Sequence, residues 1–163
     1  MGITIKGGNS SKLADLIAKL SSAKSVEIGW NSEAKYPSGH RNGGDFVANV
    51  AMINEKGGKW SEAAEGDGEE VRQIPPRPFF RTMIAKNKEH YAPDLAKALV
   101  ANDFNADKAL NMMGALIGAE LQTTIEGWTS PGNAPRTIAR KKGLDDPLVE
   151  SHQMIETVNH WVK

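Results

Sequence analysis

Two long stretches of helical periodicity dominate the second half of the chain. After Pro78, apolar side chains recur every three or four residues, at Phe80, Ile84, Tyr91, Leu95 and Leu99. A second stripe follows a turn at residues 102–105, at Leu110, Met113, Ile117, Leu121, Thr124 and Trp128. Spacing close to 3.6 residues indicates one buried face on each helix. We therefore predict two long helices, the first of them kinked or divided by Pro93 near Tyr91.

Shorter periodic segments lie on either side of these helices. Residues 3–5 predict a short strand, and a helix capped by Asn9 or Ser10 carries Leu13, Leu16, Ile17 and Leu20 on one face. Residues 26–30 alternate with period two, which predicts a strand. Residues 46–55 predict a short helix ended by the glycines at 57 and 58. At the end of the chain, residues 151–155 predict a helical turn and residues 157–162 a strand.

Polar segments rich in turn-forming residues separate these elements. Residues 31–45, 59–73 and 129–146 are predicted to be loops, the last with a short helical turn at residues 137–141. The acidic tract at residues 62–70 lies in the second loop and is predicted to be an exposed loop or the tip of a hairpin. Together these elements predict a single α+β domain over residues 1–163. It consists of a small, mostly antiparallel sheet packed against two long helices, with long exposed loops.

A proline-rich segment precedes the first long helix. Residues 74–81 read IPPRPFFR, with three prolines, two phenylalanines and two arginines. Proline fixes φ and drives the preceding residue toward extended geometry, so residues 74–77 should be stiff and extended. Pro78 suits the first turn of a helix. The segment is therefore expected to direct the long helix at a fixed angle.

Glycine spacing predicts one close contact of the second long helix. Gly114 and Gly118 lie one turn apart, which permits a neighbouring element to approach the backbone closely. That neighbour can belong to the same chain or to another subunit. Trp30 and Trp128 are expected in the core, whereas Trp60, within a polar segment, is expected to contact a partner.

Composition narrows the range of functions. The 163 residues include 20 basic and 20 acidic side chains, so the formal net charge is zero, which is unlike a typical high-affinity DNA-binding protein. The absence of cysteine excludes disulfides, thiol nucleophiles and cysteine-ligated zinc. We see neither a signal peptide at the N-terminus nor an apolar run long enough for a membrane span.

The sequence contains no motif whose residue types and spacing are typical of an active site or a metal site. If residues 151–161 formed one helix, His152, Glu156 and His160 would share a face, but the two histidines would lie about 12 Å apart at a rise of ~1.5 Å per residue. One ion cannot join them at that distance. The chain also lacks a G-x-S-x-G elbow and a P-loop. We therefore expect no metal, no cofactor and no enzymatic activity, with a metal-dependent hydrolase using His152 and Glu156 as a remote alternative.

A basic loop is the one feature of the sequence suited to binding phosphate groups or an acidic protein surface. Arg136, Arg140, Lys141 and Lys142 lie within seven residues, and Arg77 and Arg81 add charge elsewhere. These side chains can contact DNA phosphates without reading sequence. They can equally pair with an acidic patch on another subunit, such as residues 62–70, or remain solvated. Subunit contact is the preferred interpretation for a neutral protein.

Several blocks of sequence appear in a recognisable order over roughly residues 25–162. They are residues 26–30 (VEIGW), 36–39 (YPSG), 47–57 (VANVAMINEKG), 74–81 (IPPRPFFR), 129–143 (TSPGNAPRTIARKKG) and 147–154 (PLVESHQM). This pattern resembles the phage tail-component family named after a small tail protein of a lambdoid siphophage. The combination of N-E-x-G with P-P-R-P-F-x-R is its most specific part. The chain departs from the family pattern at His152, where glycine is usual, which leaves the local turn open. Further departures are Lys56 in place of a common aromatic residue and a longer acidic insertion before Ile74.

The resemblance implies a structural virion protein with no catalytic residues. Proteins of this kind act in the phage neck or tail end, as tail-completion, tail-terminator or head–tail connector components. They form hexameric or dodecameric rings between portal-side proteins and the tail tube, so we expect a homo-oligomer made in the host cytoplasm and located in the virion. A DNA-contacting lumen protein is the alternative. The expected interface residues are Trp60, Arg77, Phe79, Arg81, Arg136, Arg140, Lys141 and Lys142.

Overall fold

Six helices and four strands are present in the computed structural model, which describes residues 10–40, 42–63 and 69–163. For residues 10, 60–63 and 69–72 it describes the backbone only. The elements are α1 (Ser10–Leu20), β1 (Val26–Trp30), α2 (Val47–Lys56), β2 (Gly58–Ala63), β3 (Glu69–Ile74), α3 (Phe79–Ala101), α4 (Ala106–Glu126), α5 (Pro135–Arg140), α6 (Gln153–Glu156) and β4 (Val158–Val162). The predicted α+β class is confirmed. The predicted strand at residues 3–5 lies outside the described residues.

The long helices α3 and α4 pack against each other and form the largest helical contact of the molecule. Of the two alternatives for Pro93, division of the helix is excluded, because α3 continues through this proline. Its buried positions are Phe79, Met83 and Ala98, whereas Ile84 is 40% exposed. The phase of the apolar face is thus one residue earlier than the sequence indicated, because Phe79 is inserted into the core at the first turn.

The terminal strand completes a two-stranded sheet that lies on α4. β1 and β4 pair antiparallel, with Ile28 opposite His160 and Trp30 opposite Val158. Gly114 is the point of closest approach, because a Cβ atom there would lie 2.4 Å from Cδ2 of His160. The predicted close packing at this glycine is therefore a contact with the chain's own sheet.

The core lies where α2, α3, α4 and the segment before α6 meet. Val47, Phe79, Met83, Leu121 and Ile125 are almost fully buried. Tyr36, Val50, Ala51, Leu148 and Met154 complete this cluster of buried residues. Trp30 packs edge-on against Phe79, with ring centroids 6.3 Å apart, and its indole N–H donates to the carbonyl of Met154 at 2.8 Å.

Residues 59–73, predicted to be a loop whose acidic tract could be the tip of a hairpin, include two paired strands. β2 and β3 form an antiparallel hairpin whose register runs from Gly58 opposite Ile74 to Ala63 opposite Glu69. Residues 64–68, between the strands, lie outside the described residues. The segment contains few apolar side chains, so its period-two pattern is not visible as an alternation of apolar and polar positions.

The first helix forms as predicted but buries little of its apolar face. Leu13 is 60% exposed, Ile17 55% and Leu20 42%. No helix within residues 10–40, 42–63 and 69–163 combines the length and the hydropathy that a membrane span requires.

Candidate functional site

The end of α2 is joined to the start of α3 by two side-chain pairs. Arg77 Nη1 donates to Asn54 Oδ1 at 2.8 Å, and the backbone N–H of Arg77 donates to the Asn54 carbonyl at 2.7 Å. One residue further along α2, the Glu55 carboxylate accepts from Arg81 Nε at 2.8 Å. We call these four residues, with the carbonyls of residues 131 and 132 described below, the junction.

Glu55 also supplies the N-terminal cap of α3. The first N–H groups of a helix have no partner within the helix, and Pro78 at the N-cap provides no side-chain acceptor. The Glu55 carboxylate accepts from the backbone N–H groups of Phe80 at 2.8 Å and Arg81 at 3.3 Å. A negative charge at this end of a helix is also favoured by the helix dipole.

Arg77 joins a third segment to these two helices. Its Nε donates to the Pro131 carbonyl at 3.1 Å and its Nη2 to the Gly132 carbonyl at 2.9 Å. The peptide bond between Ser130 and Pro131 is cis. Because Arg77 is only 7% exposed, its guanidinium acts as an internal cross-link among α2, the approach to α3 and the loop after α4.

This arrangement corrects two expected interface residues. Arg77 is buried within the junction, and Phe79 is 1% exposed in the core, so neither lies on the surface. The rigid proline segment turns both side chains inward, where apolar burial and three side-chain hydrogen bonds hold them. Arg81 remains at the surface, with a side chain 67% exposed.

A cleft of about 570 Å³ lies beside the junction. Its apolar wall includes Val50 and Ile53 of α2, and residues 147–154 form much of the opposite side. Nearly all of the blocks that carry the family resemblance contribute lining residues. The same blocks are thus brought together around one space, although they are distributed over most of the chain.

A histidine with a defined tautomer contributes to the lining of this cleft. The His40 ring stacks on Tyr36 with centroids 4.7 Å apart, and its Nδ1 accepts from the Asn42 N–H at 3.1 Å. In the neutral ring the proton is therefore on Nε2, which lies 4.0 Å from Oε2 of Glu150. These contacts connect the loop before α2 with the loop before α6.

Residues 151–161 do not form the single helix that was considered as a carrier of His152, Glu156 and His160. His152 precedes α6, Glu156 ends it, and His160 lies in β4 with Nε2 2.9 Å from Asn111 Oδ1. Among the described residues, no group of three or more histidine, aspartate or glutamate side chains is placed to hold a metal ion. Thr157 ends the helix and the chain then becomes extended, which separates the three side chains.

The basic residues of the loop after α4 do not share one role. Lys141 Nζ donates to the carbonyls of Asp146 and Val149, so its charge holds the following loop in place. Arg136, Arg140 and Lys142 are exposed on and after α5. We call these three residues the basic surface. Leu144 beside them is 61% exposed.

The tryptophans occupy three different environments. Trp30 and Trp128 are half-buried and pack against the core, as expected. Trp161 is half-buried in β4. The backbone of Trp60 lies in β2 opposite Arg72, and its side chain lies outside what the structure describes.

His152 adopts the left-handed backbone conformation, with φ 59° and ψ −5°. This conformation is one that glycine adopts at little cost. The chain therefore turns at residue 152 through a conformation that is strained for a residue with a Cβ atom.

Asn54 and Glu55 are the site residues that reasoning from sequence did not assign. A usable signal was present, because a helix beginning with P-R-P-F-F has no serine, threonine or aspartate to cap it. An acid at the end of the preceding helix can fill that role. In this chain the side chains of the N-E-x-G block bond to those of the P-P-R-P-F-x-R block.

Comparisons with known proteins add no assignment. No protein-family model matches the chain, and neither the curated proteins nor the solved structures include a match.

Proposed function

We propose that this protein is a structural subunit of a phage neck or tail end, and that its copies form a homo-oligomeric ring in the virion. The observation that carries the proposal is the ordered series of sequence blocks over residues 25–162, above all the N-E-x-G and P-P-R-P-F-x-R pair. The junction gives that pair a physical reason, since its members are bonded to each other. A rigid subunit is what a ring between two larger assemblies requires.

Exposed apolar side chains support assembly. The face of α1 with Leu13 and Ile17 would normally be covered, because an amphipathic helix gains stability by burying that face. Near the C-terminal end of α3, the side chain of Val100 is 66% exposed, and that of Phe104, in the turn that follows, is 43% exposed. Met112 of α4, 51% exposed, lies beside this turn, where its sulfur accepts from Asn102 Nδ2. Exposed apolar surface of this kind is typical of contacts between subunits.

The experiment that tests the proposal combines particle analysis with complementation. We expect the protein in purified virions by mass spectrometry, and at the head–tail joint by electron microscopy of labelled particles. Removal of its gene should give heads and tails that do not join, and wild-type protein supplied in trans should restore joined particles. A protein that is absent from particles, and whose loss leaves particles intact, would refute the proposal.

DNA contact is a second candidate, favoured by the exposed basic surface. Replacing Arg136, Arg140 and Lys142 by alanine should then reduce DNA retention in particles that assemble normally. Normal retention in such particles would exclude this role.

A further inference from the structure

Two buried nitrogen atoms without hydrogen-bond partners belong to residues that line the cleft beside the junction. Among the described residues, three buried polar side-chain atoms have no partner: His40 Nε2, Asn133 Nδ2 and Trp128 Nε1. The first two residues are part of the lining of the cleft, and the third is not. A buried donor left unpaired costs free energy, and that cost is removed when an acceptor binds. The cleft is therefore suited to a ligand that brings hydrogen-bond acceptors.

The charges around the cleft favour a neutral acceptor at His40. The neutral ring carries its proton on Nε2, because Nδ1 accepts from the Asn42 N–H. The Glu150 carboxylate lies 4.0 Å from this Nε2, which is too far for a hydrogen bond but close enough to repel an anion bound there. The cations Arg77 and Lys141 also line the cleft, but each donates to carbonyl oxygens of the protein. An uncharged carbonyl oxygen thus suits the donor of His40 better than a carboxylate or a phosphate.

The cleft borders the free edge of β3. Side chains of successive strand residues point to opposite faces, yet Gln73 and Ile74 both line the cleft. Gly58 and Lys59, which lie opposite them in β2, do not line it. Within the described residues, β3 pairs with β2 alone. The cleft therefore lies along the side of β3 that carries no neighbouring strand.

The backbone groups of Gln73 are directed to that edge. The carbonyl oxygen of Ile74 lies on the β2 side, since a Cβ atom at Gly57 would be only 2.9 Å from it. Successive residues of an antiparallel strand alternate between bonding to the neighbouring strand and pointing away from it. The N–H and C=O of Gln73 therefore point away from β2. An unpaired edge of this kind is a template for an added strand.

The lining also includes an apolar wall. Val50 and Ile53 of α2 contribute to it, together with Leu148 and with Met154 of α6. A few polar groups in a cleft with apolar walls are typical of a ligand site, where apolar area gives affinity and the polar groups fix orientation. An extended peptide matches this combination, because its alternate side chains can cover the wall while its backbone bonds to a strand edge.

We propose that the cleft binds an extended, uncharged peptide segment of another protein. The segment pairs with the free edge of β3, places apolar side chains against α2, and offers carbonyl oxygens to His40 Nε2 and Asn133 Nδ2. Within the described residues, the four strands of this chain are already paired, so the segment is assigned to a different protein and not to a second copy. This inference rests on the proposed function, under which that protein is another component of the virion.

A photoreactive peptide tests the site directly. The probe is acetyl-photoleucine-Ser-Leu-Ser-amide, in which photoleucine carries a diazirine that reacts with nearby groups on irradiation. We expect saturable labelling of the full-length protein, with adducts located by mass spectrometry at residues 50–53, 73–75 or 147–154. Unlabelled acetyl-Leu-Ser-Leu-Ser-amide should compete. Labelling that does not saturate, or adducts that lie only outside the cleft, would overturn the inference.

Altered competitor peptides test the chemistry of recognition. Replacement of both leucines by serine removes the apolar side chains, and replacement by aspartate adds negative charge. Each should compete at least about fivefold more weakly, because each loses contacts that the cleft offers or adds repulsion. An aspartate peptide that competes as well as the leucine peptide would show that the cleft is an anion site instead.

N-methylation of the peptide tests the pairing with the strand edge. Only alternate residues of an added strand bond to the edge. Methylation of either both leucine or both serine nitrogens should therefore prevent competition, whereas methylation of the other pair should have little effect. Equal competition by the two methylated peptides would exclude strand pairing.

Two substitutions remove the unpaired donors. Asn133→Leu and His40→Phe, which keeps a ring to stack on Tyr36, should each weaken competition about 3- to 10-fold, as expected for the loss of one hydrogen bond. Asn49→Leu and His90→Phe make the same changes at exposed positions outside the cleft and should bind like wild type. Thermal unfolding identifies any variant that has lost its fold, and the competitor peptides need no variant. Unchanged binding in both folded donor variants would contradict the role of these donors.

Cross-linking in particles identifies the source of the segment. A photoreactive residue in place of Gln73, in protein that complements loss of the gene, should join this chain to a different virion protein. A product that contains two copies of this chain would overturn the assignment to a different protein.

The outcomes separate this inference from the proposed function. Peptide binding is measured on the purified protein, so peptides that do not bind reject the cleft as a peptide site and leave the place of the protein in virions untouched. A protein that is absent from particles refutes the proposed function, whereas saturable labelling of the cleft still identifies a peptide site.

Discussion

Arg77 joins α2, the approach to α3 and the loop after α4 through its hydrogen bonds. Its guanidinium donates to Asn54, Pro131 and Gly132 while being almost fully buried. Replacement by methionine should lower the free energy of unfolding by about 2–4 kcal/mol, since a buried partner left unsatisfied costs about 1–3 kcal/mol. Arg77→Lys should recover only part of this, because an ammonium group cannot match the planar guanidinium fork. Urea unfolding measures both.

Arg81 provides the matched control in the same segment. Its side chain is 67% exposed, and its ion pair with Glu55 is open to solvent on the arginine side. Arg81→Ala should therefore cost less than about 1 kcal/mol. Equal losses for Arg77→Met and Arg81→Ala would contradict the role given to burial.

His152 offers a stabilising substitution. A residue other than glycine in the left-handed region costs about 1–2 kcal/mol, so His152→Gly should raise the free energy of unfolding by about 0.5–1 kcal/mol after the greater entropy of glycine in the unfolded chain is included. His152→Ala, which keeps the Cβ atom, should give no such gain. A gain of the same size with alanine would point to the imidazole instead of the backbone.

At the scale of elements, the contact between α4 and the β1–β4 sheet depends on one glycine. A Cβ atom at Gly114 would lie 2.4 Å from His160 Cδ2 and 2.8 Å from Val26 Cγ2, so Gly114→Ala should destabilise the protein by about 1–3 kcal/mol. At Gly118 the nearest atom is Val158 Cγ1 at 3.8 Å. Gly118→Ala should be neutral or stabilising by up to about 1 kcal/mol, because alanine is the better helix former. Thermal unfolding of the two variants distinguishes these outcomes.

The packing of α3 on α4 includes one titratable contact. Tyr91 donates its hydroxyl hydrogen to Glu120 Oε2 at 2.9 Å, and burial, with the hydrogen bond and charge of Glu120, raises the pKa of Tyr91 from 10.0 to about 12. In the unfolded chain the same group ionises near its ordinary pKa of about 10. Its stabilising contribution is therefore fully present below pH 10 and is lost as the pH rises from 10 to about 12.

Substitution at this contact should change how the free energy of unfolding depends on pH above 10. Tyr91→Phe should unfold with a weaker dependence on pH above 10 than wild type, and Glu120→Gln should bring the pKa of Tyr91 closer to 10.0. Ultraviolet titration of tyrosinate, taken as a difference between wild type and Tyr91→Phe, isolates this group from Tyr36. An unchanged pKa in Glu120→Gln would contradict the assigned cause.

At the scale of the whole molecule, stability is concentrated in the cluster around Leu121, and α1 contributes little. Leu121→Ala should cost about 2–5 kcal/mol, as expected for a large-to-small change in a core. Leu13→Ser with Ile17→Ser should change the free energy of unfolding of the monomer by no more than about 0.5 kcal/mol per site, because both side chains are more than half exposed. If the α1 pair instead costs as much as Leu121→Ala, the helix belongs to the core of the monomer.

Much of the fold was open to prediction because it depends on local pattern. Periodicity located α2, α3 and α4, and alternation located β1, since each element buries one face. Residues 157–162 were also predicted as a strand, which is β4. At residues 59–73 the sequence left a loop and a hairpin tip as alternatives, because the segment contains too few apolar side chains to show alternation. The predicted buried face of α3 was displaced by one residue. Phe79 and Phe80 are adjacent, and only packing decides which of them is buried.

The sequence alone determined the long helices, the strand at residues 26–30 and the proline-braced segment that introduces α3, because these depend on residues close together in the chain. The tertiary structure decided which polar groups meet. Arg77 finds its partners 23, 54 and 55 residues away, and Trp30 donates to a carbonyl 124 residues away. An arginine in a sequence is equally suited to a solvated surface, a partner or an internal cross-link. Here the carbonyls of residues 131 and 132 and the amide of Asn54 accept from it. These hydrogen bonds offset the cost of removing the guanidinium from water, so Arg77 is part of the interior.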